Sequence, residues 1–424
     1  MYYDSLSKPE LEREFEIVKA RYNSFKEKNI SLDMSRGKPG PEQMDISDEI
    51  FNVVNHKTGY KNETGIDCRN YGGLDGLDEL KRLFGEILGV DSSSVIVGGN
   101  SSLNMMFDTV AQAMTHGFAG KPGWAYQGKV KFLCPCPGYD RHFSICEYFG
   151  IEMISVKNTP NGPDMDAVEE YVKDPTVKGI WCVPKYSNPE GIVYSDDTVR
   201  RLANLKPAAE DFRIFWDNAY AIHSLYEDDC TLLNIYDECK KAGNENLVIS
   251  FASTSKVTFP GAGVAAQAAG PDDIKLIKKR MSIQTIGPDK LNQLRHARIF
   301  GSLDDIKNHM KKHADILRPK FEIVIKTLEK ELGSLGIAEW TYPKGGYFIS
   351  LTLMPHTAAR TNLLCKEAGL KLTGAGAAYP YKNDVEDVNI RIAPSYPSDS
   401  ELALASELLC ISAKYAVLEK LLNK

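Results

Sequence analysis

Residues 247–257 read Leu-Val-Ile-Ser-Phe-Ala-Ser-Thr-Ser-Lys-Val. The first five are short, apolar and β-branched or aromatic with almost no alternation, the pattern of a strand buried on both faces. The rest places Lys256 among Ser253, Thr254 and Ser255 at the strand end, and Phe259-Pro260-Gly261 follows. A lysine at a strand end is ordinarily a solvated charge, but it is not ordinarily ringed by hydroxyls and closed off by an aromatic-proline turn. Burial lowers an amine's pKa, and a neutral amine can form a Schiff base with a carbonyl.

Outward from this stretch the same kind of run recurs, in VIVGG (95–99), KFLCP (131–135), EMISV (152–156), GIWCVP (179–184) and FRIFWD (212–217). Each is bounded by turn residues and separated from the next by helical patterns. The spacing predicts an α/β fold with a mostly parallel sheet flanked by helices. Toward the N-terminus, Ser7-x-x-Glu10 with Pro9 predicts a capped helix to about Lys28, followed by a Gly/Pro-rich loop, Ser35 to Pro41. Toward the C-terminus, Ser302-x-x-Asp305 opens a long helical pattern to Leu332, and WTYPKGGYFISLTL (340–353) and VNIRIA (388–393) read as antiparallel strands. The expected organisation is an N-terminal helix and strip (1–50), a large domain (51–305), and a C-terminal segment (306–424) that joins the N-terminal piece in a smaller α/β domain.

Composition restricts the function classes. The chain has 424 residues, 43% hydrophobic and 25% charged, which excludes a disordered, collagen-like or coiled-coil protein. Its 51 Lys+Arg against 57 Asp+Glu give a net charge of −6, against a nucleic-acid or anionic-membrane surface as the main partner. No apolar run approaches the ~18 residues of a membrane span. The start MYYDSLSKPELERE lacks the basic and apolar regions of a secretory signal. Nine cysteines show no CxxC pair, and Cys134-Pro-Cys136 has neither redox nor zinc-knuckle spacing. A cytoplasmic protein with reduced thiols is expected.

Three further strand ends carry candidate chemistry. Asp217 closes FRIFWD and precedes Asn218-Ala219-Tyr220; it is either a helix cap or a carboxylate at the edge where open α/β sheets bind ligands. Ser187-Asn188-Pro189-Glu190-Gly191 is by itself a common turn. Gly98-Gly99-Asn100-Ser101-Ser102 precedes a helical pattern, and hydroxyls with free N–H groups at a helix start suit a phosphate. Two patterns lead elsewhere. Gly261-Ala-Gly263-Val-Ala-Ala266 matches a dinucleotide fingerprint but lacks the strand before it and the acidic residue after it. His309 and His313 are four apart on a helix without the adjoining Glu of a zinc site, and no metal is expected.

The order of these motifs, each at the end of a strand-like run, resembles the class I/II aminotransferases, the fold-type I pyridoxal-phosphate enzymes. The resemblance runs from Ser35-Arg36-Gly37 to Asn389-Ile390-Arg391. SRGKPGPEQMD, YGGLDGL, STSKVTFPGAG and GPDKLNQLRH look like a bacterial aspartate aminotransferase-type subgroup. It implies pyridoxal 5'-phosphate as cofactor, with Lys256 as the Schiff-base lysine and proton carrier. Asp217 would face the ring nitrogen, and Asn188 and Tyr220 the ring oxygen. Tyr139 would stack on the ring, and His142 would stand behind Asp217. Asn100, Ser101, Ser102, Ser253 and Ser255 would hold the phosphate. Tyr71 would reach a phosphate across a dimer interface, implying a homodimer with shared sites. Arg391 would grip the substrate α-carboxylate, a bidentate task suited to guanidinium. Gly37 belongs to the strip that closes over the substrate.

The sequence departs from the family at Val264, where an arginine usually binds the phosphate. Lys290, from either subunit, is the expected replacement. Arg36 is expected either to pair with a distal substrate carboxylate or to be a loop surface charge. The resulting expectation is an aminotransferase moving an amino group between an acidic amino acid, aspartate foremost, and a 2-oxo acid such as 2-oxoglutarate by ping-pong half-reactions. Competing readings are an aminotransferase for aromatic or aliphatic amino acids, a C–S lyase or decarboxylase on the same cofactor, and a non-catalytic effector-binding domain.

Overall fold

In the computed structural model, which describes residues 2–227 and 230–423, the apolar runs become strands. In chain order these are β1 (Leu32–Asp33), β2 (Val95–Val97), β3 (Lys131–Cys136), β4 (Glu152–Thr159), β5 (Gly162–Pro163), β6 (Val177–Cys182) and β7 (Arg213–Asp217). They continue as β8 (Val248–Ser253), β9 (Ala265–Ala269), β10 (Ala338–Trp340), β11 (Ile349–Leu353), β12 (Leu370–Lys371) and β13 (Asn389–Ile392).

The large sheet has the order β2-β9-β8-β7-β6-β3-β4-β5. Pairing is parallel from β8 across to β4 and antiparallel at both margins, through β9 on one side and the two-residue β5 on the other. Alternate residues of one strand enter opposite layers. Phe132, Trp181, Phe215 and Ile249 pack in one apolar cluster, whereas Leu133, Ile180, Ile214 and Val248 pack in another. Helices Ser102–His116 and Asp140–Tyr148 supply the first layer, and helices Met165–Tyr171, Asp196–Ala203 and Ile235–Ala242 supply the second. Burial on both faces is why these runs show no polar alternation.

β9 was not foreseen. Its sequence, Ala-Ala-Gln-Ala-Ala, has little intrinsic strand preference, and the tertiary setting overrides it. Ala266 and Ala268 fill one side with Val97 and Leu80, and Gln267 turns to donate to Thr109 Oγ1 at 3.1 Å. The residues of the dinucleotide-like pattern are therefore this strand and the turn before it.

A separate core gathers both chain ends. Helix Lys8–Glu27 opens with the expected capping box, in which the Ser7 amide donates to Glu10 Oε2 at 2.8 Å. It packs on helix Asp399–Leu422, with Phe15 and Tyr415 rings 4.9 Å apart. β1 pairs in parallel with β12, bringing the strip after Leu32 against the C-terminal third. Helix Leu303–Leu332 runs through the 305/306 boundary: Ile306 and Met310 pack under the large sheet, and Leu317, Phe321 and Val324 pack in the terminal core.

The topology gathers the candidate residues. β2, β8, β7, β6 and β3 all run in one sense, so their C-terminal ends lie along one edge. The loops leaving that edge carry Ser101, Lys256, Asp217, Asn188 and Tyr139. Gln293, fully buried, secures the end of β2: its amide donates to the carbonyls of Val97 and Gly98, both at 3.1 Å, and its oxygen accepts from the Leu77 amide at 2.9 Å. Gln293→Leu leaves these groups unpaired. We expect a loss of about 2–3 kcal/mol in a denaturant titration, accompanied by weaker cofactor retention because the Gly98–Ser102 turn loosens.

Candidate active site

At this edge lies a cavity of about 520 Å³, within the range of small-molecule sites. Most of the sequence-predicted residues line it. From the large sheet come Ser101, Ser102, Tyr139, Asn188, Asp217 and Tyr220, followed by Ser253, Ser255 and Lys256; from the chain ends come Arg36, Gly37 and Arg391. Asn100 and His142 stand just outside the wall.

Asp217 ends β7 and is buried. Its Oδ2 lies 3.0 Å from His142 Nε2, and His142 is stacked on Trp181 at 4.3 Å with the rings 9° from parallel. Asp217 Oδ1 is buried and has no partner among the described residues. An orphan carboxylate oxygen in such a place is costly unless a ligand donor meets it.

Lys256 lies in the turn after β8, with its amine 5.0 Å from the Tyr220 ring centre and 5.8 Å from that of Tyr347. Burial lowers its pKa and the Asp217 carboxylate opposes that shift without cancelling it. Burial, with the Tyr139 and Asp217 charges adding to it, raises the Tyr220 phenol well above its ordinary value, so its hydroxyl stays protonated. Tyr139 is pushed up to about 12, chiefly by burial.

The helix that follows β2 starts at Ser102, capped by Ser101 Oγ accepting the Asn104 amide at 3.4 Å. Across from it, Ser253 Oγ donates to Ser255 Oγ and Ser255 Oγ to the Asn100 carbonyl, both at 3.2 Å. Hydroxyls thus converge on the free N–H groups of a helix start. Val264 faces the core with Leu80, Val97 and Val257, so its side chain takes no part. Tyr71 and Lys290 do not line this cavity. They border a separate surface depression, where Tyr71 is 83% exposed and the Lys290 amine donates to the Gly72 carbonyl at 2.6 Å.

Arg391, on β13, is buried against the Phe348 ring at 4.9 Å. Nη1 donates to Asp140 Oδ1 at 3.1 Å and Asn188 Oδ1 at 3.3 Å, while Nη2 donates to Thr373 Oγ1 at 3.0 Å and the Ser35 carbonyl at 3.4 Å. Its Nε is buried without a partner among the described residues. Because Asn188 Oδ1 faces Arg391, its Nδ2 is left as a donor.

Sequence reasoning assigned no role to Asp140, Arg141, Thr373 or Phe348. Asp140 and Arg141 adjoin Tyr139 and could have been questioned. Thr373 and Phe348 sit in no motif and reach the site only through the pairing of β11 with β13 and of β1 with β12. His309 and His313, 3.2 Å apart through their Nε2 atoms, belong to a buried network with the Val257 carbonyl, Gln43 and Ser47.

An aspartate amino-transferase family profile matches residues 6–424. The aspartate aminotransferase of Corynebacterium glutamicum is 45% identical over 409 residues, covering 96% of this chain and 94% of its own. The chain belongs to the aspartate amino-transferase family. A crystal structure of an aspartate transaminase from C. glutamicum superposes with a TM-score of 0.96 at 43% identity, covering 99% of both chains. The α-aminoadipate aminotransferase of Thermus thermophilus, complexed with N-(5'-phosphopyridoxyl)-L-leucine, shares the fold with a TM-score of 0.73 at 18% identity, over 92% of this chain and 93% of its own.

This chain is accordingly a fold-type I transaminase, and its cofactor is pyridoxal 5'-phosphate. The residues present fit that group: the orphan Oδ1 of Asp217 suits a protonated ring nitrogen, and the hydroxyl-lined helix start suits the phosphate.

Gly37 offers a direct probe of the cavity wall. A Cβ there would stand 2.6 Å from Phe348 Cζ, on the ring that backs Arg391. Gly37→Ala is expected to displace that ring at a cost of order 1–3 kcal/mol, read in steady-state kinetics as a KM raised about tenfold with kcat little changed.

Proposed function

We propose that the chain transfers the amino group of L-aspartate to a 2-oxo acid, 2-oxoglutarate being the fitting acceptor, by ping-pong half-reactions. The observation that carries the reading is the joint placement of a pKa-lowered Lys256, an Asp217 with one free carboxylate oxygen, and a buried Arg391 with an unpaired Nε in one cavity. The 45% identity to an enzyme named aspartate aminotransferase supports the amino donor.

When bound, pyridoxal phosphate supplies an electron sink for the pair released at the substrate α-carbon. The chain's residues do the rest. Arg391 binds the α-carboxylate and orients the amino acid; its Nε, unpartnered among the described residues, is the donor left for it. Asp217 would hold a proton at the ring nitrogen through Oδ1, while His142, steadied by Trp181, fixes the carboxylate's direction through Oδ2. Tyr220 and Asn188 Nδ2 would donate to the ring oxygen, and Tyr139 would pack on the ring. Ser101, Ser102, Ser253 and Ser255, with the Asn100 turn, would hold the phosphate. Lys256 Nζ, its pKa lowered by burial, removes the α-proton. Gly37 and Arg36 belong to the strip that covers the substrate and excludes water.

Tyr71, exposed, and Lys290, itself buried, border one surface depression apart from their own cavity, which supports a homodimer in which both serve the partner's phosphate. A cytoplasmic location is part of the same proposal. No helix among the described residues is long and apolar enough to cross a membrane.

The test is spectroscopic. Adding L-aspartate without acceptor should convert the holoenzyme's visible absorbance, and 2-oxoglutarate should restore it; failure of any common amino acid to do so refutes the reading. Pyruvate or carbon dioxide release without an oxo acid would indicate lyase or decarboxylase chemistry instead. Lys256→Ala is expected to lower turnover by at least about 10³-fold in a coupled assay, with folding unchanged by circular dichroism.

A further inference from the structure

One carboxyl beside the cavity is unused by the chemistry above. Glu190 follows Asn188-Pro189 in the turn after β6, which the Gly191 amide closes by donating to the Ser187 carbonyl at 2.6 Å. Glu190 does not line the cavity. Its Oε2 accepts from Asn158 Nδ2 at 2.7 Å, and the same amide nitrogen donates to the Pro137 carbonyl at 2.9 Å. Asn158 stands near the end of β4, so a single side chain joins the loop leaving β3 to the turn leaving β6. Tyr139 lies two residues beyond Pro137, and Asn188 lies two residues before Glu190.

We propose that Glu190 is a positioning residue: through Asn158 it holds Tyr139 and Asn188 in place around the cofactor ring, and its ionisation loosens that hold. The inference rests on the assignment of Tyr139 and Asn188 to the ring made above. No described residue forms an ion pair with Glu190. The titratable groups that face it are the Cys136 thiol at the end of β3, the Tyr194 phenol after the turn, and the Tyr379 phenol from the segment between β12 and β13. All three are pushed up chiefly by burial, with the Glu190 charge adding to the shift, and so stay protonated. Asp384 and Glu386 bring further negative charge to the Tyr379 corner. The neutral acid can accept the Asn158 bond there without leaving a charge uncompensated, whereas the carboxylate has no counter-ion. Burial accordingly pushes the Glu190 carboxyl up to about 7, against the opposing effect of the Asn158 bond. A group whose folded-state pKa is raised stabilises the closed junction at low pH, and that contribution is lost as pH rises through about 7.

The test follows release of pyridoxal phosphate from holoenzyme by loss of its bound absorbance, in wild type, Glu190→Gln, Glu190→Leu, Asn158→Leu and the double Leu variant. At about pH 6, Glu190→Leu is expected to release the cofactor about tenfold faster than wild type. Glu190→Gln keeps an acceptor and should stay within about threefold of wild type. In the Asn158→Leu background, Glu190→Leu should add less than about twofold, because the tie runs through Asn158. Between about pH 6 and 8 the wild-type rate should rise about tenfold relative to Glu190→Gln, whose amide does not titrate. Thermal melts show whether each variant folds. If Glu190→Leu does not fold, the ratio of wild type to Glu190→Gln and its change with pH decide the question. A lowered Tm with unchanged release in Glu190→Leu, an additive double variant, or a wild-type to Glu190→Gln ratio that stays flat with pH would each overturn the proposal. Release requires no amino acid, so an enzyme that follows this pattern yet never reacts with aspartate refutes the functional reading alone.

Discussion

The Arg391 guanidinium is where three parts of the chain meet. Ser35 comes from the N-terminal strip, Thr373 from the segment after β12, and Asp140 and Asn188 from loops leaving the large sheet. A buried cation is costly unless acceptors meet it, so the four acceptors of Nη1 and Nη2 and the Phe348 ring hold the two cores in one relative arrangement, with Nε alone left over. The same demand makes the site responsive. A substrate carboxylate that takes up Nε and competes with Asp140 for Nη1 replaces one set of partners by another, and the strip carrying Ser35 and Gly37 is among those that feel the exchange.

Charge is distributed to serve this. The chain as a whole carries −6, yet its cavity is lined by six cations and two anions. The excess of acid lies elsewhere, and an anionic substrate is drawn to one edge of the sheet rather than to the surface in general. Asp217 is the necessary exception: its charge opposes the loss of the Lys256 proton, while burial favours that loss and outweighs it.

Much of this was legible in the sequence. Strand positions followed from apolar runs, because burial on both faces removes the polar alternation that would otherwise blur them. The candidate site followed because parallel strands deliver their C-terminal loops to a single edge, so residues such as Asn188, Asp217 and Lys256 converge whatever the exact register. Where side-chain direction or long-range pairing decided the outcome, the sequence was mute. Ala265–Ala269 forms a strand because it pairs with β2 and β8 on either side and is buried throughout, a tertiary setting that overrides its propensity. Lys290 was singled out by position alone, and no local pattern announces that it borders a separate depression beside Tyr71, its amine donating to the Gly72 carbonyl. Thr373 reaches Arg391 only through the pairing of β1 with β12, which no local pattern announces.

His309 and His313 show the same limit from another side. Their spacing on one helix face invited comparison with a metal pair, yet both rings are spent on polar groups beneath the site. His309 meets the Val257 carbonyl at 2.9 Å, one residue beyond Lys256, and His313 meets Gln43, which in turn donates to the Tyr347 hydroxyl at 2.9 Å. Burial lowers both imidazoles' pKa values, so they are uncharged at neutral pH and can serve as donor and acceptor in one chain of bonds. A satisfied buried network of this kind admits few alternative packings. It therefore fixes helix Leu303–Leu332, the strip at Gln43 and the turn bearing Lys256 relative to one another, and supplies from below the rigidity that Arg391 supplies from above.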